Sequence, residues 1–345
     1  MKTKLVHSPS FTQYVKRLLR LSALTATLLA ASAVDSTAAT VTLTASDTGT
    51  TQSFTGSSNW DNGQAPSAGN DYRTGVYTLR TDGGSANYTF AGDSLTMGDS
   101  VTTNSDARLA IRTTGTVTIS DLRLNHGNVA VYVSTSSTLA GSVTLIDWGS
   151  FSPTAAGRTL IVTATVGGSG QLRVSTGNVI LNHANNSYTG GTIVAASSAE
   201  SHLFVQADGA LGSGDVSLKG GSNGTKLTLS NGITNSYIAS TASLILAKDL
   251  QSESVTLSFQ GVNVIGNLSF DGGLTWVTAG TYGAIGSGAT YQSDIFSGTG
   301  LLEVTGIPEA STSAMLGIGA LIGALVIRQS VKKSKAGEES GRIGL

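Results

Sequence analysis

The chain has 345 residues, carries 20 Lys and Arg against 21 Asp and Glu, and contains no cysteine. A near-neutral chain without a basic stripe excludes a nucleic-acid binder, and the lack of thiols excludes disulfides and thiolate metal sites. With 44 Gly, four Pro and 6% aromatic residues, the composition also argues against a Pro-rich linker and against a sandwich core filled with large aromatics.

In chain order, the first segment reads as an export signal. Lys2, Lys4, Lys16, Arg17 and Arg20 precede an apolar, small-residue run from Leu21 to Ala33. Ala31-Ser32-Ala33 fits an A-x-A cleavage site, with Thr37-Ala38-Ala39 as a second candidate. Residues 1–39 are therefore expected to be a signal peptide, cleaved near 33 or 39, and the mature chain to lie outside the cytoplasm.

Residues 40–305 form the body. Val41–Thr44, Arg108–Arg112, Val117–Ser120, Val129–Val133, Val143–Ile146 and Lys226–Ser230 alternate apolar and polar residues, the period of a strand with one buried face. Between such segments stand the turn pairs Asn62-Gly63, Asp82-Gly83, Asp208-Gly209, Asn223-Gly224, Asn231-Gly232 and Asp271-Gly272. No body segment sustains a 3.6-residue stripe, so the body is expected to be all-β. Short strands, exposed Thr, Ser, Asn and Gly, and scarce aromatics favour a β-solenoid, which needs only a thin stacked column of Val, Ile and Leu. Two flanks are richer in aromatics: Phe54 to Phe90, with Trp60, Tyr72, Tyr77 and Tyr88, and Phe270 to Phe296, with Trp276, Tyr282 and Tyr291. They read as caps over the open coil edges. The other reading is a sugar-stacking platform at Trp60 and Tyr72.

In the middle, Asn186-Ser187-Tyr188-Thr189-Gly190-Gly191-Thr192 lies between two strand-like segments, and Ala207 to Gly214 follows it. This stretch resembles the autotransporter-associated β-strand repeat, with Asn186, Tyr188, Gly190, Gly191 and Thr192 as the matching positions. The resemblance covers about 45 residues and implies a right-handed parallel β-helix. No translocator of many short membrane strands accompanies it.

Chemistry is sparse. His126, His183 and His202 are isolated and read as solvated turn residues, and Asp beside Gly reads as turn chemistry. The nearest approach to a lyase-like cluster is Asp93, Asp99 and Asp106 with Arg108 and Arg112. No calcium loop, nucleophile elbow or phosphate loop occurs, so no catalytic residue, metal or cofactor is expected.

The C-terminal segment begins Ile307-Pro308-Glu309-Ala310. It continues through an uncharged apolar run to Ile327 and ends in Arg328, Lys332, Lys333 and Lys335. Residues 310–327 are about long enough for a helix crossing a ~30 Å hydrocarbon core, and the cations after them form a basic stop. Motif, helix and stop in this order resemble the PEP-CTERM sorting signal, with Ala310 in place of the family's second Pro. The resemblance implies recognition of residues 307–335 by an exosortase-like enzyme, transient or lasting membrane attachment, a cytoplasmic tail at 336–345, and the surface of a Gram-negative envelope. The expected function is that of an exported structural or adhesion protein with exopolysaccharide as a partner. A polysaccharide-processing β-helix enzyme, lyase or glycosidase, is the alternative.

Overall fold

The structure, a computed structural model, describes residues 38–99 and 107–306. Within them the chain is all-β, a parallel β-solenoid of about eight turns. Each turn lays one strand onto each of two sheets. The thirteen-stranded sheet runs in the order Ala39–Thr42, Asn70–Arg73, Ser94–Met97, Thr116–Leu124, Ser136–Leu145, Thr159–Val162, Gly177–Leu181, Ser201–Val205, Thr225–Ser230, Val255–Ser258 and Phe296–Gly298, with Tyr88–Thr89 and Thr165–Gly168 paired alongside. The nine-stranded sheet holds Thr78–Arg80, Arg108–Ile111, Gly127–Val131, Trp148–Phe151, Gln171–Val174, Thr192–Val194, Val216–Leu218, Ser243–Leu246 and Asn267–Ser269, also in chain order. Every pairing in these two sheets is parallel: Thr159 stands opposite Asn178, Ser201 opposite Thr225, and Leu227 opposite Val255. The offset grows where Val255 meets Phe296. The residues between them feed a four-stranded sheet of Val262–Ile265, Leu301–Val304, Gly280–Gly283 and Tyr291–Gln292, which contains an antiparallel pair.

Alternation along each strand becomes a ladder across strands, because parallel in-register coils stack like residues. Val117, Leu139, Val162, Leu181, Val205, Leu229 and Leu257 form one continuous inward column. Leu79, Leu109, Val129, Phe151, Val174, Val194, Leu218 and Leu246 form the facing one. All are buried, and each contributes about 1.5–3 kcal/mol relative to exposure. Each segment expected from alternation overlaps a strand, although Val143–Ile146 marks only the end of the long strand Ser136–Leu145.

Corners depend on glycine at specific points. Gly141 bends the long strand Ser136–Leu145 at a φ of 103°, and a Cβ there would stand 1.9 Å from the Ile119 carbonyl oxygen. Four of the expected turn glycines, Gly63, Gly209, Gly224 and Gly272, have positive φ; in Asn231-Gly232 the asparagine takes it, and at Asp82-Gly83 it passes to Gly84. At the Asp271 turn the Thr275 hydroxyl and N–H, with the Ser269 hydroxyl, hold the carboxyl well below the usual range.

The N-terminal aromatics pack inward. Trp60 meets Tyr72 edge-on at 4.8 Å, Phe90 lies 5.2 Å from Tyr72, and Phe54 lies 5.3 Å from Phe90. All four are buried, and the Trp60 indole N–H donates to the Ser53 carbonyl. This corrects the platform reading of Trp60 and Tyr72, since neither ring face is open to a sugar. At the other flank Tyr282 is buried, while Trp276 and Tyr291 remain partly exposed.

Candidate functional site

The repeat motif builds a corner. Tyr188 is fully buried, its hydroxyl 2.7 Å from the Thr192 hydroxyl, and burial pushes the phenol far above its usual range. Asn186 clamps two neighbouring coils: its Oδ1 accepts the Val166 N–H at 2.9 Å and its Nδ2 donates to the Ala210 carbonyl at 2.9 Å. Gly190 and Gly191 complete the turn. A Cβ on Gly190 would lie 2.4 Å from the Gly170 carbonyl carbon, and Gly191 has a φ of 79° against the Asp215 carbonyl oxygen. Thr192 starts the next strand of the nine-stranded sheet, pointing inward opposite Leu172. All five motif residues are brought together, in a role of packing and backbone satisfaction.

A related corner went unread in the sequence. Asn235-Ser236-Tyr237 repeats the side chains of Asn185, Ser187 and Tyr188 two coils on, with one residue fewer. Asn185 and Asn235 share a left-handed backbone (φ 57° and 59°), and Tyr237, like Tyr188, is fully buried. The short N-S-Y string was the available signal. Between these corners, Asp208 accepts the N–H groups of Ile233, Thr234 and Ser236. Burial pushes its carboxyl up, but those donors outweigh it and hold it below the usual range.

Two of the histidines differ from the solvated-turn expectation. His126 is nearly buried, stacks on Trp148 at 4.9 Å, and lies 2.5 Å from the Asp147 carboxylate. His202 sits within the strand Ser201–Val205, stacked on Phe204 at 3.7 Å, with Nε2 2.9 Å from the Thr228 hydroxyl. The His126 ring is held by a stack on the next coil, and the His202 ring by a neighbour on its own strand and a hydroxyl on the next coil.

The open chemistry lies on the outward face of the nine-stranded sheet, in two clefts. The larger, about 440 Å³, runs beside the repeat corner and is lined by Gln171, Gly190, Gly191, Asp215, Ser217 and Lys219, among others. Ser217 is largely buried there and its hydroxyl has no partner. The Asp215 Oδ1 accepts the Ser243 N–H at 2.7 Å. The smaller cleft, about 180 Å³, is lined by Asp47, Thr78, Arg80, Arg108, Ala110, Arg112 and Tyr132. Farther along the face, the Arg173 guanidinium lies 4.5 Å from the centre of the Trp148 ring.

Of the nearest approach to a lyase-like cluster in the sequence, Asp93 does not stand beside the two arginines. Asp93 accepts the Gly69 N–H in a turn leading into the other sheet and does not line the Arg108–Arg112 cleft. Its place there is taken by Asp47, which sequence reasoning missed. Asp47 is distant in sequence and meets the cleft only because the first coil folds beneath it. All its lone pairs toward the protein are engaged: the Ser53 hydroxyl and Asn59 Nδ2 donate to Oδ1 at 2.6 and 2.8 Å, and the N–H groups of Ser53 and Arg80 donate to Oδ2, both at 2.8 Å. Among the described residues, no three His, Asp or Glu side chains converge as a metal site would require, and no helix is long and apolar enough to cross a membrane. Asp106, the export signal up to residue 37, the sorting residues Pro308, Glu309 and Ala310, the apolar run 310–327 and the basic residues Arg328, Lys332, Lys333 and Lys335 lie outside the described residues. No family model, curated protein or solved structure matches this chain.

Proposed function

We propose that this chain is an exported, non-enzymatic β-solenoid of a bacterial surface or extracellular matrix, handled by an exosortase-like enzyme through residues 307–335. In this reading the coil winds right-handed, as parallel crossover connections nearly always do. The body then holds exopolysaccharide through many weak contacts along its sides. The observation that carries the reading is the state of the carboxylates in the two clefts described above. Each cleft has a single aspartate, and Asp47 and Asp215 are both engaged by donors of the protein itself. A glycosidase needs two carboxyl groups about 5–9.5 Å apart across its substrate, each free to exchange a proton or attack.

The test has two arms. An epitope-tagged chain is compared with the same chain lacking residues 307–345, and both are followed by cell fractionation and surface labelling. The reading expects the truncated chain to leave the envelope fraction; unchanged retention would overturn the sorting claim. In the second arm the purified chain is incubated with acidic and neutral polysaccharides, and reducing ends or unsaturated products are measured. Turnover above the buffer rate would replace the matrix reading with the enzyme reading.

A further inference from the structure

The 180 Å³ cleft poses an electrostatic question that folding does not answer. Arg108, Ala110 and Arg112 alternate along one strand edge, so all three project from the outer face. In register on the preceding coil, Arg80 stands opposite Ala110. The small alanine leaves a hollow, and three guanidinium side chains surround it. Coils stack about 4.8 Å apart and alternate strand residues are about 6.6 Å apart, which sets the spacing of these side-chain roots. Like charges at such spacing repel. Among the described residues no carboxylate forms an ion pair with any of the three. The one carboxylate in the cleft, Asp47, spends its oxygens on Ser53, Asn59 and the Arg80 backbone. Arg108 Nη1 donates to the Tyr132 hydroxyl at 2.6 Å, and its Nε–H has no partner. The side chains of Arg80 and Arg112 donate to no described residue. This contrasts with Arg123, paired with Asp121 at 2.6 Å, and Lys226, paired with Glu200 at 2.7 Å.

From this arrangement we infer that the cleft binds the carboxylate of an acidic polysaccharide, a uronate, with Arg80, Arg108 and Arg112 as the recognising residues. The inference rests on the matrix reading above and supplies its ligand class. Guanidinium forks match a planar carboxylate bidentately, and a hollow floored by alanine admits one such group rather than an extended strand. Tyr132 adds an amphipathic ring beside the charge, partly exposed and fixed by its bond to Arg108, where a pyranose ring has a wall to lie on. A nucleic acid is disfavoured because the described body carries more carboxylates than Lys and Arg.

The experiment uses the purified full-length chain and measures binding by calorimetry. The probes are oligogalacturonate, its methyl ester, a neutral dextran oligomer, and single-stranded DNA of matched charge. The expected result is binding of the free acid that weakens with salt, with binding of the ester and of dextran at least about tenfold weaker. Each of Arg80→Gln, Arg108→Gln and Arg112→Gln should weaken acid binding by about tenfold or more, as expected for loss of one charge-assisted pair. Arg112→Lys should recover only part of the affinity, because the charge returns without the fork. Arg123→Gln, on the other sheet, should change nothing. Melting curves accompany every variant. A folded Gln triple variant with wild-type affinity overturns the cleft while leaving a polysaccharide-binding body intact. Equal binding of the ester, or equal or tighter binding of DNA, overturns the uronate assignment. If uronate binding holds but the tagged chain is never found at the envelope, the matrix reading falls and the cleft stands.

Discussion

Replacing Asn186 with Ala tests whether the repeat motif holds the coils together. Asn186 is 8% exposed, and both ends of its amide are used. Truncation leaves the Val166 N–H and the Ala210 carbonyl, on the coils either side, without their partners. An unsatisfied buried group costs about 1–3 kcal/mol, so the pair is expected to cost about 2–5 kcal/mol. Typical domains hold only about 5–15 kcal/mol, and a solenoid's stability is a sum of neighbouring coil contacts, so such a loss should open the column locally. Urea unfolding measures the total, and native-state hydrogen exchange locates it: the Val166 amide should lose protection, while the amide of Leu257, four coils away along the inward column, should retain it in the folded state. A loss under about 0.5 kcal/mol with the Val166 amide still protected would refute the clamp argument and leave the motif's asparagine without an energetic role.

His202 makes stability depend on pH. Burial lowers its pKa from 6.5 to about 4, Glu200 pulls it partly back up, and Lys226 lowers it further. The unfolded chain therefore binds the proton first as pH falls, and the stability held above pH 6.5 is lost progressively down to about pH 4. The shift corresponds to at most about 3 kcal/mol, and to about 1–2 kcal/mol after screening by the solvent that reaches the ring. His202→Phe should flatten this part of the Tm-against-pH curve; an unchanged slope would count against it. Gly141→Ala should destabilise by about 2–3 kcal/mol or more, because the new Cβ meets the Ile119 carbonyl oxygen in a left-handed backbone. Gly49→Ala, where no atom lies within 4 Å, is the neutral comparison by the same melting assay. Leu229→Ala, between Val205 and Leu257 in the inward column, should cost about 2–5 kcal/mol by urea unfolding, and a loss under about 1 kcal/mol would mean the column is not close-packed there.

Period-two alternation and Gly-centred turn pairs determined the all-β class, because both are local: a strand's buried face and a left-handed turn are written in adjacent residues. The solenoid was favoured by short strands, small polar residues and scarce aromatics. The motif Asn186 to Thr192 was legible as a corner for the same reason, since Gly190 and Gly191 state their backbone needs directly. What adjacent residues could not state was which coils meet. Asp47 meets the Arg80–Arg108–Arg112 cleft through a bond to the Arg80 N–H that spans 33 residues of chain, and the three arginines converge only because Arg80 is set in register with Ala110. From sequence, Trp60 and Tyr72 read as part of a cap with a surface platform as the alternative, and packing against Phe90 and each other buries them. His126 is held by Trp148 on the next coil, and His202 by Phe204 on its own strand and by Thr228 on the next coil. Short-range sequence pattern sets the conformation of each coil. The register between coils, a sum of many weak cross-strand contacts, decides which side chains share a face, and only the tertiary structure carries it.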